Sequence, residues 1–191
     1  MKEQPETWKR TNSKLIADCR VFRVREDFCE REWDSAKHTF FVVENPDWVN
    51  IIALTKNDEV ILIEQFRHGV EEITLEIPGG IVDNKENADD AARRELLEET
   101  GFEASEMIYL GKSRPNPALQ NNWIYHFLAR NCKKSGDTNF DEHESIVTKL
   151  IRLQDIEQLI ESEQITHSLV LAAFYKFRAK KNIQTKLKIG F

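Results

Sequence analysis

The order of apolar runs along this 191-residue chain predicts an α+β fold, a mixed sheet covered by helices. Three observations carry that reading. Short stretches rich in Val, Ile and Phe recur up to Ile77 and return from Ile108. A single long run of good helix formers lies between them, ending at Thr100. Helical patterning dominates only from Gln154 onward.

Taken in order, Leu15 to Phe28 and Thr39 to Glu44 read as antiparallel strands. Asn45-Pro46-Asp47 reads as a turn and as the seam between an N-terminal β element, 1–46, and a second domain, 47–191. Trp48 to Leu54 and Val60 to Phe66 form a hairpin around Lys56-Asn57-Asp58, and Ile73 to Ile77 adds a strand that runs into Pro78-Gly79-Gly80. Further strands are expected near Ile108 to Leu110, over Trp123 to Ala129 and over Ile146 to Leu153. A helix is expected over Gln154 to Glu161, and a longer one over Ser168 to Lys180. Ser168 would cap the latter, with Leu171, Phe174 and Phe177 facing inward.

Composition excludes several classes. Hydrophobic residues make up 40% and charged residues 31%, ordinary for a globular protein. No apolar run approaches the roughly 20 residues that cross a bilayer. The stretch Met1 to Arg10 is polar and lacks a signal-peptide core, which predicts a cytoplasmic protein. Cys19, Cys29 and Cys132 are odd in number and without metal-ligand spacing, as expected of reduced thiols. Net charge is −6, unevenly spread. After Glu163 come six bases and no acid, so the chain before them carries all 33 acids against the other 21 bases, or −12. That basic tail has no interleaved aromatics, which argues against a nucleic-acid platform and for a solvated helix face with a loose end.

The stretch from Gly80 to Phe102 carries the chemistry. Asn87 can cap a helix, Asp89 and Asp90 suit its electropositive first turn, and Gly101 suits its end. At about 100° per residue, Glu95 and Glu99 lie one above the other with Glu98 on the flank, while Ala92 and Leu96 share an inward face. Arg94 stands four residues before Glu98 and can hold it. Three carboxylates crowded toward a helix C-terminus repel one another and the dipole; a hard, oxygen-seeking cation turns that liability into a site. Taken alone, Glu98-Glu99 would read as a solvated acidic face.

The complete pattern does not. Gly80, five residues, Glu86, seven residues, Arg94-Glu95-Leu96, one residue, Glu98-Glu99, one residue, Gly101-Phe102 resembles the signature of the Nudix hydrolases at every fixed position. The resemblance implies an α/β/α sandwich with a mixed sheet and divalent-metal-dependent cleavage of a nucleoside diphosphate linked to another group. It assigns Glu95, Glu98 and Glu99 to metal, Mg²⁺ or Mn²⁺, together with the carbonyl of Gly79. Glu98 and Arg94 join the catalytic set, Arg94 by orienting carboxylates, and Glu86 closes the loop.

Outside the signature, the chain is similar to the ADP-ribose and nucleotide-sugar pyrophosphatase subgroup. Glu64-Gln65-Phe66-Arg67 resembles its Glu-Gln-x-Arg element, whose arginine reaches the diphosphate; on residues alone, Arg67 is equally a surface arginine at a strand end. Glu76 is placed with Arg67 in substrate binding. Pro117 stands sixteen residues after Gly101, where a proline marks ADP-ribose enzymes. Asn121 and Asn122 stand where some of those enzymes carry an acid, a departure that leaves GDP-mannose and other nucleotide sugars open. By position, Glu142 would be the base that deprotonates metal-held water and Glu144 a further metal contact, with His143 a competing base. His68 and His167 read as structural or exposed. The resemblance also implies a homodimer built by the N-terminal element. Other readings are a nucleoside triphosphate, dinucleotide polyphosphate or RNA-cap pyrophosphatase, and a non-catalytic nucleotide sensor. The sensor is disfavoured because every signature glutamate is present.

Overall fold

The computed structural model describes residues 4–139 and 145–180. By its internal contacts the chain divides into two compact units. One runs to Pro46 and takes in Arg114–Asn122; the other holds Asp47–Ser113 and the chain from Trp123 onward.

The first unit is a three-stranded antiparallel sheet in the order β1 (Trp8–Asp18), β2 (Arg23–Arg31), β3 (Lys37–Glu44). The sequence reading took Leu15 to Phe28 as one strand. The structure breaks it at a tight turn in which the Cys19 N–H donates to the Phe22 carbonyl and Arg20 adopts φ 67°. That turn contains neither glycine nor proline, so the usual punctuation was absent. The loop Arg114–Asn122 joins this unit through a bridge between Val43 and Gln120, with the Val43 N–H donating to the Leu119 carbonyl.

The second unit is built on an eight-stranded mixed sheet. Its strands are β4 (Trp48–Thr55), β5 (Glu59–Arg67), β6 (Glu72–Glu76), β7 (Gly79–Ile81), β8 (Phe102–Glu103), β9 (Glu106–Ser113), β10 (Ile124–Lys134) and β11 (Ile146–Arg152). The main order is β11-β5-β4-β10-β8, with β6 on β5, β7 on β4 and β9 on β10. Among the described strands of this sheet, only β4 and β10 pair in parallel, Val49 beside Tyr125 and Ile51 beside Phe127. Central strand β4 is buried on both faces, and its side chains alternate between two cores. Val49, Ile51 and Ala53 meet Ala91, Ala92 and Leu96 of helix α1 (Ala88–Thr100). Ile52 and Leu54 meet Ile156 of α2 (Ile156–Glu161) and Val170, Ala173, Phe174 and Phe177 of α3 (Ser168–Ala179). Helices thus cover both faces of the sheet. No helix among the described residues is long and apolar enough to cross a membrane.

Two C-terminal details differ from the sequence reading. A short 3-10 turn, Leu153–Asp155, precedes α2 and shortens it. His167, not Ser168, holds the N-cap of α3, and no side chain caps it. The buried aromatic and apolar face of α3 fixes its start without a cap, as tertiary packing commonly outweighs local signals.

Helix α1 follows its sequence cues closely. Asn87 Oδ1 accepts the N–H groups of Asp89 and Asp90, both at 3.0 Å. Gly101 ends the helix at φ 68°, and a Cβ there would lie 2.4 Å from the Gly136 carbonyl oxygen. The Lys134 ammonium donates to the Thr100 carbonyl at 2.9 Å, supplying from β10 a cation that the last turn of the helix lacks. Asn87→Ala should therefore lower unfolding free energy by about 1 kcal/mol. Gly101→Ala, which combines a left-handed backbone with a backbone collision, should cost more. Urea midpoints of the two variants test that order, and an equal or reversed ranking would refute it.

Candidate active site

β4, β7, the segment carrying Glu86, and α1, all of the second unit, bring the signature together. Strand β7 pairs with β4 so that Asn50 opposes Gly79 and Val49 opposes Gly80. This lays the two glycines beside α1. A Cβ on Gly80 would fall 2.3 Å from the Glu95 carboxyl carbon, and one on Gly79 would fall 2.3 Å from the Val49 carbonyl oxygen. Only glycine permits both approaches. The Gly79 N–H donates to Glu99 Oε2 at 2.9 Å, and Glu99 is almost wholly buried. The backbone of the glycine loop therefore holds one signature carboxylate directly.

Arg94 is the hub of the rest. Its Nε and Nη2 donate to the two oxygens of Glu86 at 3.1 and 3.0 Å, and Nη2 also donates to the Ile81 carbonyl at 2.9 Å. Its Nη1 donates to Glu95 at 2.8 Å and to Glu98 at 2.9 Å. One planar fork thus ties the signature loop to two helix carboxylates. The bonds to Glu86, opposed by burial and reinforced by Glu95 and Glu98, raise the guanidinium pKa further above its ordinary value. The same contact holds Glu86 below the usual carboxylate range. Glu86 and Arg94, read from the sequence as closing the loop and orienting carboxylates, are thus joined by two hydrogen bonds.

Among the described residues, no three acid, imidazole or thiol side chains converge on a single cation position. The donors at the loop are nevertheless all oxygen. Glu95 and Glu99 flank Gly79-Gly80, and Glu98 shares the Arg94 guanidinium with Glu95. Carboxylates around a side-chain-free backbone fit a hard divalent cation and would not suit a soft one.

Arg67 and Glu76 form a second pair. Nε and Nη2 of Arg67 donate to the two oxygens of Glu76 at 2.8 and 2.7 Å, and the Thr74 hydroxyl donates to Glu76 Oε1 at 2.6 Å. His167 Nδ1 lies 3.7 Å from the other oxygen. Burial alone would raise the Glu76 pKa, yet the bonds from Arg67 and Thr74 outweigh it and hold the carboxyl below its ordinary value. Burial also lowers the pKa of His167, against the pull of Glu76. The sequence reading missed Thr74 and His167. Thr74 was accessible to it, because residues two apart on a strand share a face; His167 was not, because only the packing of α3 brings it there.

The remaining expected site residues belong to the first unit or lie outside the described residues. Pro117 is exposed in the loop grouped with the first unit, and Asn122 is buried at the end of that loop. Asn121 Oδ1 accepts the Asn45 N–H at 3.1 Å. Glu142, His143 and Glu144 lie outside the described residues. Cys19, Cys29 and Cys132 are all free thiols, and His68 stacks edge-on against Phe66.

This combination of a glycine-opened loop, an Arg-bridged carboxylate helix and a helix-covered mixed sheet has a counterpart among known families. The NUDIX domain model matches residues 45–174, and the chain belongs to that family. Over 146 residues it is 28% identical to the methanol dehydrogenase activator of Bacillus methanolicus, spanning 76% of this chain and 79% of that protein. It is 27% identical, with the same coverage, to the ADP-ribose pyrophosphatase of Bacillus subtilis (strain 168). A solved ADP compounds hydrolase shares the fold, with a TM-score of 0.82 and 24% identity over 96% of this chain and 98% of that one.

The lowered pKa of Glu76 makes a stability prediction. A carboxyl whose folded pKa is depressed contributes stability above its unfolded pKa and loses it as pH falls through the folded value. The thermal midpoint should thus fall as pH drops below 4.5, the ordinary glutamate value. Glu76→Gln should be less stable near neutrality and should lose less on acidification. Parallel midpoint-versus-pH curves for the two proteins would contradict this.

Proposed function

We propose that this protein hydrolyses the diphosphate bond of nucleoside diphosphate sugars, ADP-ribose or a similar compound, to a nucleoside monophosphate and a sugar phosphate. The observation that carries the reading is the signature carboxylate set held against Gly79-Gly80 by the loop backbone and by Arg94. The names of the ADP-ribose pyrophosphatase and ADP compounds hydrolase relatives point to the substrate class.

In the reaction, a water oxygen forms a bond to one phosphorus, the bond from that phosphorus to the bridging oxygen breaks, and the water proton passes to a carboxylate base. Glu95, Glu99, Glu98 and the Gly79 carbonyl are the groups assigned to hold Mg²⁺, or Mn²⁺, with Glu144 as a further contact. When bound, such a cation neutralises diphosphate oxygens and lowers the pKa of water. The chain supplies the rest. Arg94 keeps like-charged Glu95 and Glu98 in place, the Gly79 N–H fixes Glu99, and the Arg67 guanidinium pairs with the diphosphate oxygens as charge shifts to the leaving phosphate. Glu142 is assigned as the base on resemblance. Pro117 and Asn122 are assigned to sugar recognition on the same ground. The enzyme is further read as a cytoplasmic homodimer, with its N-terminal β element, 1–46, at the dimer contact. Three free thiols agree with a reducing compartment.

Incubation with ADP-ribose, ADP-glucose, GDP-mannose, UDP-glucose, dinucleotide polyphosphates and dATP, each with Mg²⁺ and with products identified by mass, should show a sugar diphosphate as best substrate and AMP or GMP plus sugar phosphate as products. Glu99→Gln should lower kcat by roughly 10² to 10³-fold, the scale of losing a preorganised charge-stabilising group, without loss of fold. Preference for dATP or dinucleotides, or near-normal turnover by the variant, would overturn the assignment.

A further inference from the structure

The geometry behind Arg67 assigns a role to Glu76 that differs from substrate contact. Arg67 closes β5 and opposes Glu72 across the hairpin with β6, whereas Glu76 opposes Ile63 four residues further along. At about 3.3 Å per residue, the two backbones are offset by about 13 Å along the strand. The Arg67 side chain nevertheless meets Glu76 with two hydrogen bonds of 2.8 and 2.7 Å. It therefore folds back along the hairpin face, over Thr74, instead of projecting from the strand end. Glu76 is three residues before Gly79, so this bond draws the guanidinium toward the glycine loop. The anchor itself is fixed. Glu76 is only 2% exposed, the Thr74 hydroxyl holds one of its oxygens, and His167 at the start of α3 lies beside the other. The Arg67 side chain keeps 43% of its exposure and can still face solvent.

A half-buried ion pair is weak evidence for stability, because the cost of desolvating its carboxylate offsets much of the attraction. Its use here is directional. The fork geometry of an arginine held at Nε and one Nη sets the plane of the guanidinium, which decides where its remaining edge points. We propose that Glu76 is a positioning residue. Seated by the Thr74 hydroxyl, with His167 packed beside it, it turns Arg67 away from the hairpin tip and presents it to the diphosphate beside the signature loop. The inference rests on the reading of Arg67 as a diphosphate contact.

The test is a double-mutant cycle in the full-length protein, with ADP-ribose and Mg²⁺ and with kcat and KM normalised to folded protein. Arg67→Lys and Glu76→Gln should each lower kcat/KM by about 10²-fold, the scale of a misplaced substrate-orienting group. The double variant should be no worse than Arg67→Lys, because Glu76 acts only through that arginine. Thr74→Val, which removes one hydroxyl and leaves the ion pair, should lower kcat/KM about fivefold and carries the test should Glu76→Gln not fold. Additive losses in the double variant, or a Glu76→Gln protein that is less stable but has unchanged kcat and KM, overturn the proposal, as does a Thr74→Val protein with unchanged kcat/KM. Full activity in Arg67→Lys removes both the clamp and the diphosphate role of Arg67. It leaves standing the hydrolysis itself, which the Glu99→Gln measurement decides separately.

Discussion

The carboxylates of α1 stand where an isolated helix would least tolerate them, in its C-terminal half and within reach of each other. The structure holds them there with one guanidinium and one backbone N–H. Arg94 bonds Glu86, Glu95 and Glu98 at once, and Gly79 bonds Glu99. The rest of the site depends on this arrangement. The loop can approach the helix only because Gly80 leaves room for the Glu95 carboxylate. The loop is in register only because β7 pairs with β4, and β4 is fixed by packing on both faces.

A rigid two-faced core and a polar end of the sheet therefore serve different ends. Alternating residues of β4 lock α1 on one side and α3 on the other. The same two helices then bring the chemistry to the loop between β6 and α1. Helix α1 delivers its glutamates, and α3 delivers His167 to the back of Glu76. Cations from neighbouring elements offset the charge that this concentrates, Arg67 at Glu76 and Lys134 at the last carbonyl of α1.

Local signals made much of this legible in the sequence. Asn87 and Gly101 announced α1 through capping chemistry that the structure reproduces, and the spacing of Glu86, Arg94 and Glu98 foreshadowed one cluster. Alternating and continuous apolar runs placed six of the eight strands of the second unit, most ends within a residue or two, but left β7 and β8 unread and β10 five residues short. Failures occurred where local chemistry was silent. The turn at Cys19 to Phe22 uses positive φ at Arg20 without a glycine, and α3 starts at His167 without a capping side chain, its buried face running from Val170 to Phe177. The partnership of Arg67 with Glu76 was invisible for a different reason. Strand register places them four residues apart, and only side-chain direction joins them.

The distribution of buried polar groups in the second unit supports placing function at this end of the sheet. Glu76, Glu99 and Asn50 are all buried, and all lie within three residues of Gly79 in sequence, opposite it in register or bonded to its backbone. The Asn50 side-chain Nδ2 has no hydrogen-bond partner among the described residues, and its Oδ1 sits 2.8 Å from where a Gly79 Cβ would be. An apolar residue at any of these positions would be cheaper to bury, since each polar group forfeits its hydration. A fold selected only for stability would fill this corner with hydrocarbon, as it does from Ile51 to Leu54 of β4. Retaining two buried carboxylates and an amide around a single glycine is physically intelligible if the loop must present backbone and charge to a ligand. Local inconsistency of this kind belongs at a working site.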